Sequence, residues 1–260
     1  MTGADPVALN AGDHAALLLH GFGDTPQSLR ALATYLYTHG WTVRVPLLPG
    51  HGRSLREFSA SRAADWMGSA SAEYDHLHRT HSLVTVIGQS MGGALATLLA
   101  AEDATLPALV LLAPYLTMMP KVARIARRYR LVSVLAPYVR SRTDASIWDP
   151  AAKAKSLGYG VTPPRLLAEL AHIAQAAWDA APRVTSPTLM LQSRDDNRIT
   201  REDAEKVFER LGAATKELVW MEGCGHVIAV DYGREQVFAR SEEWLRRNAT
   251  RSHDTGRASV

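Results

Sequence analysis

A chain of 260 residues with 47% hydrophobic and 21% charged side chains has the length and composition of one large globular core, or one core with a sizeable insertion, which excludes a low-complexity or disordered polypeptide. Twenty-nine basic and 26 acidic side chains leave a formal charge of only +3, and no basic-aromatic interleaving or finger spacing accompanies it, so no nucleic-acid partner is expected. A single cysteine, Cys224, forbids an intrachain disulfide. The stretch Met1 to His14 lacks the apolar core of a secretory signal and no apolar run approaches a bilayer span, so a cytoplasmic location is expected.

In chain order, Ala15 to Leu19 is a wholly apolar run that reads as a buried parallel strand, and it ends in His20-Gly21-Phe22-Gly23. Thr25-Pro26 starts a helix, with an N-cap followed by proline at the first helical position; the helix runs to about His39 and stops at Gly40. A strand over Trp41 to Leu47 leads to the loop Pro49-Gly50-His51-Gly52, and a helix over Arg62 to Arg79 leads to a strand at Leu83 to Ile87. A small-residue helix follows over Met91 to Glu102, then a strand over Leu106 to Ala113. The alternation resumes with a strand at Thr188 to Gln192, a helix at Arg201 to Leu211, a strand at Lys216 to Met221 and a helix at Val227 to Arg247. Strands alternating with helices predict an α/β protein with a parallel sheet covered on both faces.

The interval from Pro114 to about Pro187 interrupts this rhythm and reads as a helical insertion without a convincing strand. From Lys121 to Thr143 it carries seven basic residues and no acidic one, with Val122, Ile125, Tyr129 and Val132 at helical spacing. Such a segment can rest on an anionic lipid surface or cover an apolar pocket; the plainer reading is a packed helix with a solvated basic face. Residues from Ala249 onward read as a polar, disordered tail.

Gly88-Gln89-Ser90-Met91-Gly92 lies where a buried strand meets a helix. A glycine-rich turn of common residues arises by chance; its context, a serine presented at a strand-to-helix turn too tight for side chains beside it, suggests a nucleophile. A serine needs a base, and in the order serine, acid, histidine only His226 and His253 come late enough; His253 belongs to the polar tail, whereas His226 sits in the glycine-rich Gly223-Cys224-Gly225-His226. For the carboxylate that orients the imidazole, Asp195 and Asp196 compete after the Thr188–Gln192 strand. Asp196 is favoured because Ile199, three residues on, can anchor the loop. The oxyanion donors expected are the backbone N–H groups of Met91, at a helix N-terminus, and Phe22, in the loop after the first strand. His76, His78 and His81 are spaced so that they cannot converge as metal ligands on a helix, and Cys224 reads as a small loop filler.

Leu19-His20-Gly21-Phe22, Pro49-Gly50-His51-Gly52, Gly88-Gln89-Ser90-Met91-Gly92-Gly93 and Gly225-His226, in this order, resemble the α/β-hydrolase superfamily over about Ala15 to Arg247. Within it, Leu191 to Asp196 and Gly225 to Asp231 resemble bacterial carboxylesterases and monoacylglycerol lipases. The resemblance implies a mostly parallel sheet flanked by helices, a core of residues 1–113 and 188–248 and a helical cap of 114–187. It also implies a Ser90, Asp196, His226 triad, no cofactor and no metal. A small ester or monoglyceride is the implied substrate, with at most transient contact with a lipid surface. Related monoglyceride lipases are similar except for an acidic residue near Gly160, which this chain lacks in Gly158-Tyr159-Gly160-Val161-Thr162-Pro163. Carboxylic esters are therefore the first expectation and monoglycerides the second, and the Leu, Val and Tyr content of the helical insertion favours short-to-medium acyl chains. Thioester, C–C bond or peracid chemistry on the same residues, or a receptor that keeps the pocket without turnover, are the alternatives; rapid labelling of Ser90 by a fluorophosphonate separates the receptor from the rest.

Overall fold

The computed structural model describes residues 1–141 and 145–257, with residues 250–257 described by backbone alone. The chain opens with β1 (Val7–Leu9) and β2 (His14–Leu19), then α1 (Arg30–Thr38) and β3 (Thr42–Val45). Next come α2 (Leu55–Ala60), α3 (Ala63–Thr80), β4 (Leu83–Gln89), α4 (Met91–Glu102) and β5 (Leu109–Leu112). The interval that follows holds α5 (Pro120–Arg127), α6 (Tyr129–Leu135), β6 (Val139–Arg140), α7 (Pro150–Lys155), β7 (Val161–Thr162) and α8 (Pro164–Ala180). The chain closes with β8 (Thr188–Ser193), α9 (Arg201–Arg210), β9 (Lys216–Met221) and α10 (Arg234–Arg257).

Seven strands form one sheet in the order β1-β3-β2-β4-β5-β8-β9, parallel except for β1, which pairs antiparallel to β3. The alternation of side chains along β2 explains the two layers. Ala15, Leu17 and Leu19 face α3, α4, α8 and α9, while Ala16 and Leu18 face α1 and α10. Strand order reverses between β2 and β4, so the carboxyl ends of these neighbours open the crevice where ligands bind in open α/β sheets.

Several boundaries differ from expectation for local reasons. The helix expected from Thr25 begins as a 3-10 turn at Pro26–Leu29, capped by the Thr25 hydroxyl, before α1 takes over. The interval between β5 and β8 is not strand-free: β6 and β7 pair antiparallel as two residues each, too short to leave a sequence pattern. Its last helix, α8, packs Leu166, Leu170, Ile173, Ala174 and Ala177 into the main core. The helix expected over Val227–Arg247 starts only at Arg234 and runs to Arg257, through part of the segment read as a tail, with Asn248 and Ala249 buried. Residues 258–260 and Arg142, the last of the seven basic residues, lie outside the described residues. Among the described residues no helix is long and apolar enough to cross a membrane.

Candidate active site

Ser90 ends a strand whose seven residues are all buried and stands as the N-cap of α4 with φ 55° and ψ −117°. A non-glycine residue rarely holds a positive φ, and the surroundings over-determine it. A side chain at Gly88 would collide with the Gly92 carbonyl, and one at Gly92 with the carbonyls of Leu19 and His20. The turn therefore closes against the end of β2, and Gly21 stands so near that a Cβ there would lie 3.3 Å from the Ser90 Cβ. This close approach brings the loop after β2 against the serine.

Ser90 Oγ lies 2.8 Å from His226 Nε2, and His226 Nδ1 lies 2.7 Å from Asp196 Oδ2. The Asp196 side chain is fully buried, and its carboxylate is well supplied: Gln192 Nε2 donates to Oδ2 at 2.8 Å, and the N–H groups of Arg198 and Ile199 donate to Oδ1 at 2.7 and 3.1 Å. Burial pushes its pKa up, yet the His226 charge and these hydrogen bonds outweigh it and hold the carboxyl below its ordinary value. An ionised Asp196 accepts from Nδ1–H, which leaves Nε2 as the acceptor for the serine hydroxyl. Asp195, the competitor, is exposed. It does not pair with Arg194, which meets Glu222 at 3.2 Å and lies over the Trp220 ring.

Met91 opens α4, so its N–H has no intrahelical acceptor. The Phe22 N–H belongs to the Gly21–Phe22 peptide, whose carbonyl is held by His20 Nδ1 at 3.0 Å. In a trans peptide the N–H points opposite to the C=O, so His20 sets the direction of the Phe22 N–H. His20 is buried and accepts from the Leu48 N–H through Nε2 at 3.1 Å; burial pushes its pKa down to about 3, so it works as a neutral strut. His51, whose pKa burial lowers to about 4, packs edge-on against His20 and against Phe58 and Trp66, and the Phe22 ring completes this aromatic cluster. Sequence reasoning gave neither histidine a role, although both stand beside the glycines it singled out.

Asp231 was likewise missed as a functional support. Its buried carboxylate accepts four backbone N–H groups: Gly225 at 2.7 Å, Trp148 and Asp149 at 2.8 Å each, and Tyr232 at 2.9 Å. One carboxylate thus ties the loop that carries His226 to the segment leading into α7. Ser146 adds to the seam, its carbonyl accepting from Val227 N–H at 3.0 Å and its hydroxyl donating to Asn197 at 3.1 Å. Cys224 is fully buried and burial raises its thiol to about 11, which suits a filler rather than a nucleophile.

Ser90 and His226 open onto a cavity of about 790 Å³. Phe58, Tyr159, Leu167, Leu170, Val122 and Ile125 supply its apolar lining. Tyr159 stacks on Phe58 at 4.5 Å and donates its hydroxyl to the Gly50 carbonyl at 2.9 Å. Gly160 borders the cavity with φ 70° and open space where a side chain would begin.

Sheet order, the strained serine at the end of β4 and the late histidine define an α/β-hydrolase. Residues 12–232 match the family described as Serine aminopeptidase, S33 (Hydrolase_4), and the chain belongs to that family. It is similar to the thermostable monoacylglycerol lipase of Bacillus sp. (strain H-257), 28% identical over 249 residues that cover 96% of this chain and 97% of the relative. It is also similar to the carboxylesterase of Bacillus subtilis (strain 168), 26% identical over 246 residues covering 92% and 95%. Among solved structures, one from work on LipS and LipT, two metagenome-derived lipolytic enzymes, superposes with a TM-score of 0.88 at 30% identity, covering 95% of this chain and 99% of that one. The Paleococcus ferrophilus monoacylglycerol lipase shares the fold, with a TM-score of 0.79 at 20% identity over 92% and 97% of the two chains.

Proposed function

We propose that the protein is a carboxylic-ester hydrolase that works through a Ser90 acyl-enzyme, with His226 as base and acid, Asp196 as its orienting carboxylate, and the Met91 and Phe22 N–H groups as the oxyanion site. The observation that carries this reading is the hydrogen-bonded line Ser90–His226–Asp196 at 2.8 and 2.7 Å, with Ser90 held at a positive φ. His226 Nε2 takes the hydroxyl proton as Ser90 Oγ bonds to the ester carbonyl carbon, and the carbonyl oxygen gains the electron pair. As the tetrahedral intermediate collapses, the C–O bond to the alcohol breaks and imidazolium gives its proton to the leaving oxygen. Water, deprotonated by the same imidazole, then releases the acid and restores Ser90. The lipase and esterase relatives support ester substrates, and the apolar lining by Phe58, Leu167 and Leu170 supports a short-to-medium acyl chain. Monoacylglycerol hydrolysis is the second reading, favoured by the 28% identical relative.

The test is the initial rate on p-nitrophenyl esters from acetate to palmitate, with 1-monoacylglycerols alongside and Ser90→Ala as control. A short-to-medium optimum lost in the variant is the expected result; no Ser90-dependent turnover of any ester would overturn the reading.

The proposal includes a cytoplasmic location and transient contact with a lipid surface. Helix α6 buries none of its side chains, and Leu131, Val134 and Leu135 are 63%, 81% and 80% exposed beside exposed Arg127, Arg128, Arg130 and Arg140. Exposed apolar side chains with exposed arginines close by in sequence suit an anionic bilayer. Co-flotation with phosphatidylglycerol-containing vesicles, weakened by salt, is expected; equal flotation with neutral vesicles, or none, would remove this element.

A further inference from the structure

The residues that line the cavity come from different layers of the fold. Phe58, Leu167 and Leu170, from α2 and α8, belong to the layer packed around α3 and α4. Asp24, Gln27 and Ser28 line the same cavity from the turn that leads into α1, whose own core lies on the other side of the sheet. Ser90 and His226 line it too, so an ester bound at Ser90 has both apolar and polar lining groups in the cavity it occupies.

Asp24 is an acidic group of the lining that the hydrolytic steps leave unused. It follows the Gly21–Gly23 loop directly, and its Oδ1 accepts from the Thr25 N–H at 2.7 Å. The neighbouring Ser28 hydroxyl donates to the Thr25 carbonyl at 3.1 Å. Among the described residues no cation lies within salt-bridge distance of Asp24, although a carboxylate carries about four acceptor sites. Its surface is half-buried because it faces the cavity, while protein surrounds it on its other sides. That enclosure raises its pKa to about 6, against the lowering effects of Ser28, the Thr25 N–H and the nearby His226. The carboxyl thus lies in electrostatic range of the imidazole that protonates the leaving alcohol.

We propose that Asp24 accepts hydrogen bonds from free hydroxyl groups on the leaving alcohol and selects esters of polyols over esters of simple alkanols. This rests on the serine-hydrolase reading above and adds the class of alcohol. A cationic alcohol fits less well, because Arg30, Lys155 and Arg234 line the same cavity and would repel it. Gln27 and Ser28, in the same turn as Asp24, add polar groups to the lining for a second hydroxyl.

The experiment compares kcat/KM for 1-monodecanoylglycerol and ethyl decanoate in the native protein, Asp24→Asn and Asp24→Leu, with Ser90→Ala as control. The glyceryl-to-ethyl ratio is expected to fall about tenfold or more in Asp24→Leu and less in Asp24→Asn, which keeps one acceptor oxygen. Ethyl decanoate turnover stays within about threefold of native. An unchanged ratio, or an equal fall on both esters as expected if Asp24 only tunes His226, would overturn the proposal. Activity that survives Ser90→Ala would instead overturn the underlying reading. The native protein provides a check independent of variant folding: 1-O-decylglycerol, which has no ester to cleave, should inhibit p-nitrophenyl butyrate hydrolysis about tenfold more strongly than 1-decanol. Equal inhibition by the two would also overturn the proposal.

Discussion

The turn at Ser90 and helix α6 are opposite extremes of the same molecule. Around Ser90 every neighbour is buried, and backbone atoms of β2 and α4 stand where side chains at Gly88 and Gly92 would go. On α6 no side chain is buried, and large apolar groups stand in solvent. The first region is held by backbone atoms packed against its glycines; the second packs on α8 and on α5. The proposed chemistry needs sub-ångström placement and would use the first. The proposed contact with a lipid surface tolerates looser packing and would use the second.

The two aspartates after β8 offer the sharpest way to test that contrast. Asp196→Asn keeps the shape but removes the charge that orients His226, and kcat/KM on a p-nitrophenyl ester should fall by about 10⁴-fold. Asp195→Asn, in the same loop but exposed, should stay within about twofold. Similar losses from both would break the distinction between buried and exposed sites.

Gly92→Ala comes next, because its methyl meets backbone carbonyls that cannot swing away. A loss of about 3 kcal/mol is expected, read as a fall in Tm, with activity falling as the serine turn shifts. Asp231→Asn should cost about 2–4 kcal/mol, since an amide has one acceptor oxygen for the four N–H groups the carboxylate now serves. Because Gly225 precedes His226, kcat should fall more than the KM of a small ester changes. A Tm within 1 °C of native would show that the seam between the segment before α7 and the histidine loop contributes nothing.

Smaller effects belong to the cavity and the cap. With its pKa raised to about 6, Asp24 is ionised above that pH and protonated below it. The other carboxylate, imidazole and permanently charged groups that line its cavity are His226 and Asp149 with the cations Arg30, Lys121, Arg140, Lys155, Arg198 and Arg234. Loss of the charge weakens an acceptor, so the glyceryl-to-ethyl ester ratio should decline severalfold as pH falls from 7.5 to 5. Taking the ratio cancels the common titration of His226, and a flat ratio would contradict the role given to Asp24. The smallest effect is expected from Val134→Ser with Leu135→Ser: stability within about 0.5 kcal/mol and unchanged turnover of a soluble ester, with vesicle flotation reduced.

The sequence by itself determined the parts governed by local sterics and short-range periodicity. Alternating apolar strands and helices marked the sheet, Gly88 and Gly92 marked the turn that exposes Ser90, and the single late histidine in a glycine-rich loop pointed to His226. Ile199 separated Asp196 from Asp195 because a loop with one buried anchor has one inward side. Only the tertiary structure decided what depends on groups far apart in the chain. Asp231 matters because Trp148 and Asp149 approach it from more than eighty residues away. His20 matters because the Gly21–Phe22 peptide lies between it and the serine turn. Helix α8 joined the main core because α4 offers it an apolar face, and Asp24 acquired its place in the cavity lining only when β2 came to lie beside β4. Hydrogen-bond partners and burial are properties of such meetings, and no window of neighbouring residues encodes them.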